Sequence, residues 1–211
     1  MTILRNPKAR HFLFCAVFTA ACAAVNYFGA FLAARISFPL YLDSTLTIAV
    51  TAVCGLVPGI VCATATNLLS YFFIPNMGIL FVLCHISTAV SAELFFWHER
   101  KKNMLENGRQ FSYSTETFMW AGLVAGLTNS VLGNTFSYWF YPALKIPQAG
   151  TAVQEIYVVT RSLLFANYFG GTITNLIDKI ISATVSLFVY RLVRHIKRRI
   201  TMGGGRKYLL N

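Results

Sequence analysis

Apolar residues in this chain run together in long blocks, and polar residues collect in the short breaks between them. The blocks predict helices over residues 12–34, 44–55, 59–73, 78–97, 118–140 and 168–193. Most approach or exceed the roughly 20 residues that a helix needs to cross a bilayer; the second is short for a full crossing. Each break has a local reason. "RISFPLYLD" (35–43) holds Pro39 and aromatics suited to an interface, "GLVPG" (55–59) reads as a turn, and Pro75 in "FIPNMG" (73–78) cannot continue a helix. Residues 98–117 form a long polar loop. Segment 141–167, with two prolines and scattered charges, is too polar to span and is expected to lie along the outer surface. The pattern is that of an all-α membrane protein, a six-transmembrane-helix bundle in which residues 1–211 make one integral membrane domain.

Charge sets the orientation. Fourteen of the 18 lysines and arginines fall in three clusters. One is Arg5, Lys8 and Arg10. The next is Arg100, Lys101, Lys102 and Arg109, and the last runs from Arg191 to Lys207. The positive-inside rule places all three in the cytoplasm, which an even number of crossings permits. The N- and C-termini are therefore expected to be cytoplasmic. Basic tails of this kind are topology signals or lipid-headgroup contacts, so the expected partner is the bilayer and not nucleic acid. Only 12% of the residues are charged, about half the fraction usual in a soluble domain.

The basic start, apolar run and "TAAC" at 19–22 loosely resemble an export signal, but the run continues to Ala34. An uncleaved first helix is expected. Cys15, Cys22, Cys54, Cys62 and Cys84 all lie in apolar blocks without a C-x-x-C pair, which suits small buried residues and not a disulfide frame or metal site. The sequence has no H-E-x-x-H, G-x-S-x-G or P-loop, so neither an enzyme nor a cofactor is expected.

Several helix faces carry information. Ala16, Ala20 and Ala24, spaced by four, put small residues on one face of the first helix, which allows close helix approach. Gly59, Ala63 and Asn67 repeat the spacing on the third. Gly122, Gly126, Asn129, Gly133 and Ser137 line one side of the fifth, where Asn129 and Asn134 suit an interior or cavity-facing position or interhelical bonding. On the fourth, Glu93 reads as a helix-end residue, and His85 as a core histidine ahead of a cavity-lining one.

The stretch "NLIDKIIS" (175–182) stands out. Gly171, Asn175, Asp178, Lys179 and Ser182 share one face of the last helix. An unpaired charge at that depth costs a few kcal/mol on the mildest scales. Neighbours on a helix point about 100° apart, so Asp178 and Lys179 are expected to find partners on other elements, or to face a wet cavity. In the outer segment, a solvated surface accounts for Glu155, Arg161 and Asn167.

"PLYLDSTLTIAVTAVCGLVPGIVCATATNLL" (39–69) and "NLIDK" (175–179) resemble the substrate-binding S components of energy-coupling factor (ECF) transporters. The size, helix count and alanine-rich first helix fit as well. The resemblance implies capture of a vitamin or related nutrient from outside, at the cell membrane of a prokaryote. Delivery then requires a transmembrane coupling subunit and two ATPases. It implies docking through Ala16, Ala20 and Ala24, and a binding site holding Asn175 and Lys179, with Tyr41 and Asp43 from the first outer loop. Asp178 lies beside that site, and Asn134, Trp139 and Asn76 are further candidates from geometry. Two other classes stay open: the membrane sensor module of a signalling system, and an autonomous ion-coupled carrier. The chain has no output domain after Asn211 and no clear repeat between its halves, which weighs against them.

Overall fold

The computed structural model describes residues 6–74, 77–106, 112–141 and 147–206, and is all-helical within them. Seven α-helices follow in order: α1 (Pro7–Arg35), α2 (Thr47–Cys54), α3 (Leu56–Phe73), α4 (Val82–Glu106), α5 (Thr115–Trp139), α6 (Pro147–Thr160) and α7 (Leu163–Arg206), with a 3-10 turn at Ile79–Phe81. Three stretches are long and apolar enough to cross a membrane: Pro7–Arg35, Leu56–Phe73 and Ile79–Met104. Between their charged ends, most of their outward residues are apolar. Phe12, Val17, Val25 and Phe28 are exposed on α1, while Asn26 on the same helix is buried. An apolar outside around a polar inside suits a lipid environment better than water.

Helix boundaries follow local chemistry that the hydropathy pattern misses. α1 starts at Pro7, with the Asn6 side chain accepting from Lys8 N; proline is pre-organised for that first position. α3 starts at Leu56 and not at residue 59, because Pro58 sits in its first turn, where no N–H is needed. Gly55 makes the reversal before it with φ +94°, a backbone state open to glycine. α4 continues nine residues past Trp97 into the expected polar loop, since Glu99, Arg100, Lys101 and Lys102 are good helix formers. α7 begins at Leu163 and runs beyond Val193 to Arg206. Segment 141–167 is itself largely helical, as α6 and the start of α7; Val153 of α6 packs on Ala166 of α7.

The expected second helix is shorter in fact, with eight residues, about 12 Å of rise. Residues 36–46 supply the rest of that passage in irregular, non-helical form. They fold back along α1: the Leu42 carbonyl lies so near Gly29 that a Cβ there would be 3.0 Å from it. Leu46 N then donates to Asn26 Oδ1 at 2.8 Å. Ala49 N donates to Ser186 Oγ at 3.0 Å, and Ser186 Oγ donates to Thr45 O. The unpaired N–H groups at the start of a helix need partners. Here α1 and α7 supply them, and α2 is held inside the bundle between α1, α3, α4 and α7.

The described basic clusters meet at one end. Lys197 lies 4.3 Å from the ring centroid of Phe14. Arg191 donates to Thr115 Oγ1, Arg100 donates to the Tyr113 hydroxyl, and the Tyr113 backbone N–H donates to the Tyr190 hydroxyl. Glu93 pairs with Arg100 at this same end, but it lies in the middle of α4 and not at a helix end, because the helix runs on to Glu106.

α5 and α7 make the closest pairing. A Cβ added at Gly122 would fall 2.6 Å from Ala183 Cβ and 2.8 Å from Lys179 O, whereas one at Gly133 would meet only Cys84 Sγ at 3.7 Å and Asn175 Nδ2 at 3.9 Å. Gly122→Ala is therefore expected to lower the melting temperature of the detergent-purified chain, at an overpacking cost of about 1–3 kcal/mol. Gly133→Ala, on the same helix face, is expected to melt at or above the wild-type temperature. Equal melting of the two variants would contradict this helix contact.

Candidate functional site

Lys179 is buried among carboxylates. Its Nζ lies 2.6 Å from Asp178 Oδ2 and 3.2 Å from Asp43 Oδ1. Asp43 Oδ2 in turn is 3.1 Å from His85 Nε2. The four residues come from segment 36–46, α4 and α7, and Asp178 and Lys179 are 0% and 2% exposed. The expectation that Asp178 and Lys179 find partners elsewhere holds only in part: they also pair with each other. The flexible lysine stem lets Nζ curl back to its neighbour while still reaching Asp43.

Asp178 is an anchor as well as a counter-ion. Its Oδ1 accepts the backbone N–H of Leu42 at 2.8 Å. Leu42 has φ 52°, a left-handed state that costs a non-glycine residue about 1 kcal/mol or more. Its N–H lies within hydrogen-bond reach of the carboxylate in this state, and Tyr41 and Asp43 flank the bond.

Beside this cluster lies a narrow cavity lined by Tyr41, Asp43, Met77, Phe81, Cys84, His85, Asn129, Gly133, Asn175 and Lys179. Its free volume is about 30 Å³, room for a water or two on the scale at which one water needs roughly 10–15 Å³. Asn129 is fixed by bonds from Ser87 Oγ and to Thr88 Oγ1. Asn175 donates to Gly171 O. His85 Nδ1 is buried with no hydrogen-bond partner.

Of the residues singled out in the sequence, the structure brings Tyr41, Asp43, Asn175 and Lys179 to the cavity, with Asp178 directly behind Lys179. Asn134 lies elsewhere, donating to Tyr168 O and Thr172 Oγ1 across the α5–α7 contact. Trp139 is 71% exposed at the end of α5, and Asn76 lies outside the described residues. Asn167 is buried and donates to Asn134 O, so the solvated-surface reading does not apply to it. His85, weighed first as a core histidine, lines the cavity; Met77, Phe81 and Cys84 join it without any signal in the sequence that separates them from other apolar residues. Ala16, Ala20 and Ala24 are all exposed, and the first two line an apolar groove with Val57, Pro58, Val61 and Ala65 of α3.

No protein-family model, curated protein or solved structure matches this chain.

Removing the ammonium leaves two buried carboxylates facing each other. Lys179→Ala is expected to cost about 3–5 kcal/mol of stability, the scale for breaking a buried pair. Adding Asp178→Asn should recover part of that loss, because the amide keeps a carbonyl acceptor for Leu42 N without the charge. Thermal unfolding in detergent checks both. A double variant no more stable than Lys179→Ala would contradict the assignment of the cost to charge.

Proposed function

We propose that the chain is the substrate-binding membrane subunit of an ECF-type importer, which captures a small organic nutrient on the outer side and delivers it inward. The observation that carries the proposal is the polar, charge-lined cavity inside a bundle whose outer surface is apolar. Small-molecule sites are mostly apolar pockets with a few convergent polar groups, and ionisable residues buried at this depth are costly enough to mark functional positions. Tyr41, Asp43, Asn175 and Lys179 at the cavity are also the residues that the resemblance to the ECF substrate-binding components implies.

In this reading α1, segment 36–54, α3, α4, α5 and α7 make six crossings, and α6 lies at the outer end. The basic end faces the cytoplasm, and the cavity opens away from it. A vitamin-sized ligand is larger than the free space, so its binding displaces lining side chains, of which Tyr41 and Phe81 are the largest. The exposed face of Ala16, Ala20 and Ala24 docks a coupling subunit, which with two ATPases supplies the energy that no motif in this chain provides.

Replacing Ala16, Ala20 and Ala24 together by Leu is expected to abolish co-purification with the coupling subunit and ATP-dependent uptake in proteoliposomes. Ligand binding by the isolated chain should be unchanged. Retained co-purification would rule out this face, and uptake driven by an ion gradient without any ATPase would rule out the importer reading.

A further inference from the structure

We propose that the cavity receives a cationic or N–H-donating group, so that the captured nutrient carries an amine, amidine or similar basic nitrogen. The inference deepens the importer reading and rests on it for the claim that a nutrient is captured at all. Three features of the cavity converge on it.

The first is charge. Asp43 and Asp178 face one ammonium, that of Lys179, so the carboxylates of the cluster outnumber its lysine by one. A charge taken out of water is stabilised by pairing. The other groups facing His85 are Tyr41 from segment 36–46, Asn129 from α5 and Cys84 on its own helix, and none of these supplies a positive charge.

The second is the imidazole itself. A carboxylate only accepts, so the 3.1 Å contact to Asp43 Oδ2 places a proton on His85 Nε2. In the neutral ring Nδ1 is then a lone-pair acceptor, and it is buried without a partner. A buried acceptor left unmade costs about 1–3 kcal/mol, which a donor on the ligand removes. The Asn175 amide on the same wall has one N–H on Gly171 O and keeps both an acceptor oxygen and a second N–H, so it fits either kind of partner.

The third is shape and surface. A free volume of about 30 Å³ suits a compact head group such as an ammonium. The rings of Tyr41 and Phe81 line the cavity, and aromatic faces attract cations, the more so where water is excluded. An anion would meet the Asp43 carboxylate, with the Lys179 ammonium already held by Asp43 and Asp178.

A matched set of probes tests the sign: benzylamine, benzyl alcohol and benzoate, titrated calorimetrically into the detergent-purified full chain. Benzylamine is expected to bind saturably, and the alcohol and benzoate at least about tenfold more weakly, the scale of one hydrogen bond to a charged group. His85→Phe removes the acceptor and Gly133→Ala places a methyl group in the cavity with the charged cluster intact. Each is expected to weaken benzylamine by a similar factor. No saturable binding of the amine, equal or tighter binding of benzoate or the alcohol, or wild-type affinity in both variants overturns the inference.

A second arm separates this from the importer reading. Small molecules released on denaturing the wild-type and Gly133→Ala chains are compared by mass spectrometry. A basic compound present only in the wild type supports both readings. A neutral or anionic compound lost in the variant sinks the cation inference and leaves nutrient capture standing. Identical profiles from the two chains sink nutrient capture itself.

Discussion

The ammonium of Lys179, held between Asp178 on its own helix and Asp43 on the far segment, is the interaction on which the interior depends. It joins a long helix to a stretch of chain with almost no regular structure. Segment 36–46 has few internal backbone hydrogen bonds of its own. It is tied down instead by Asp178 to Leu42 N, by Asn26 to Leu46 N, and by Ser186 to Thr45 O and Ala49 N. Without the lysine, two buried carboxylates would be left with only His85 Nε2 and the Leu42 N–H as partners. The segment that positions Tyr41 and Asp43 would lose its main electrostatic tie.

Two opposite packing rules meet around that cluster. Between α5 and α7, small residues bring the backbones so close that Gly122 has no room for a Cβ. About three turns along the same pairing, Gly133 has space beside it, and that space is the cavity. The fold therefore places a close helix contact and a cavity on one pair of helices. A site held this way owes its geometry to rigid helices on one wall and to a hydrogen-bonded loop on the other, the wall from which Tyr41 comes.

Much of this was legible in the chain because charge in an apolar run has few explanations. "NLIDKIIS" marks the buried face of α7, and the "PLYLD" stretch marks the residues that meet it. The basic clusters mark one end of the bundle. What stayed hidden depends on contacts between distant elements. His85 looks like any histidine in an apolar helix until Asp43 is placed beside it. The pairing of Asp178 with Lys179 defies the angular rule for helix neighbours, since a lysine stem is long enough to bend back. Pro58 reads as a turn residue, yet a first helical turn accommodates it. Asn134, equally plausible as a cavity residue, is instead spent holding α5 to the start of α7. The irregular passage before α2 could not be foreseen from hydropathy, which reports burial and not backbone conformation.

The central claim is that the space between His85, Asn175 and Lys179 is a ligand site reached from the end opposite the basic clusters. An experimental structure of the chain purified with its natural ligand tests this most directly. The account predicts ligand density against His85 Nδ1 and the Asn175 side chain, with the Tyr41 or Phe81 ring displaced to admit it. Ligand density elsewhere on the bundle, with the cluster and its narrow cavity unchanged, would contradict it.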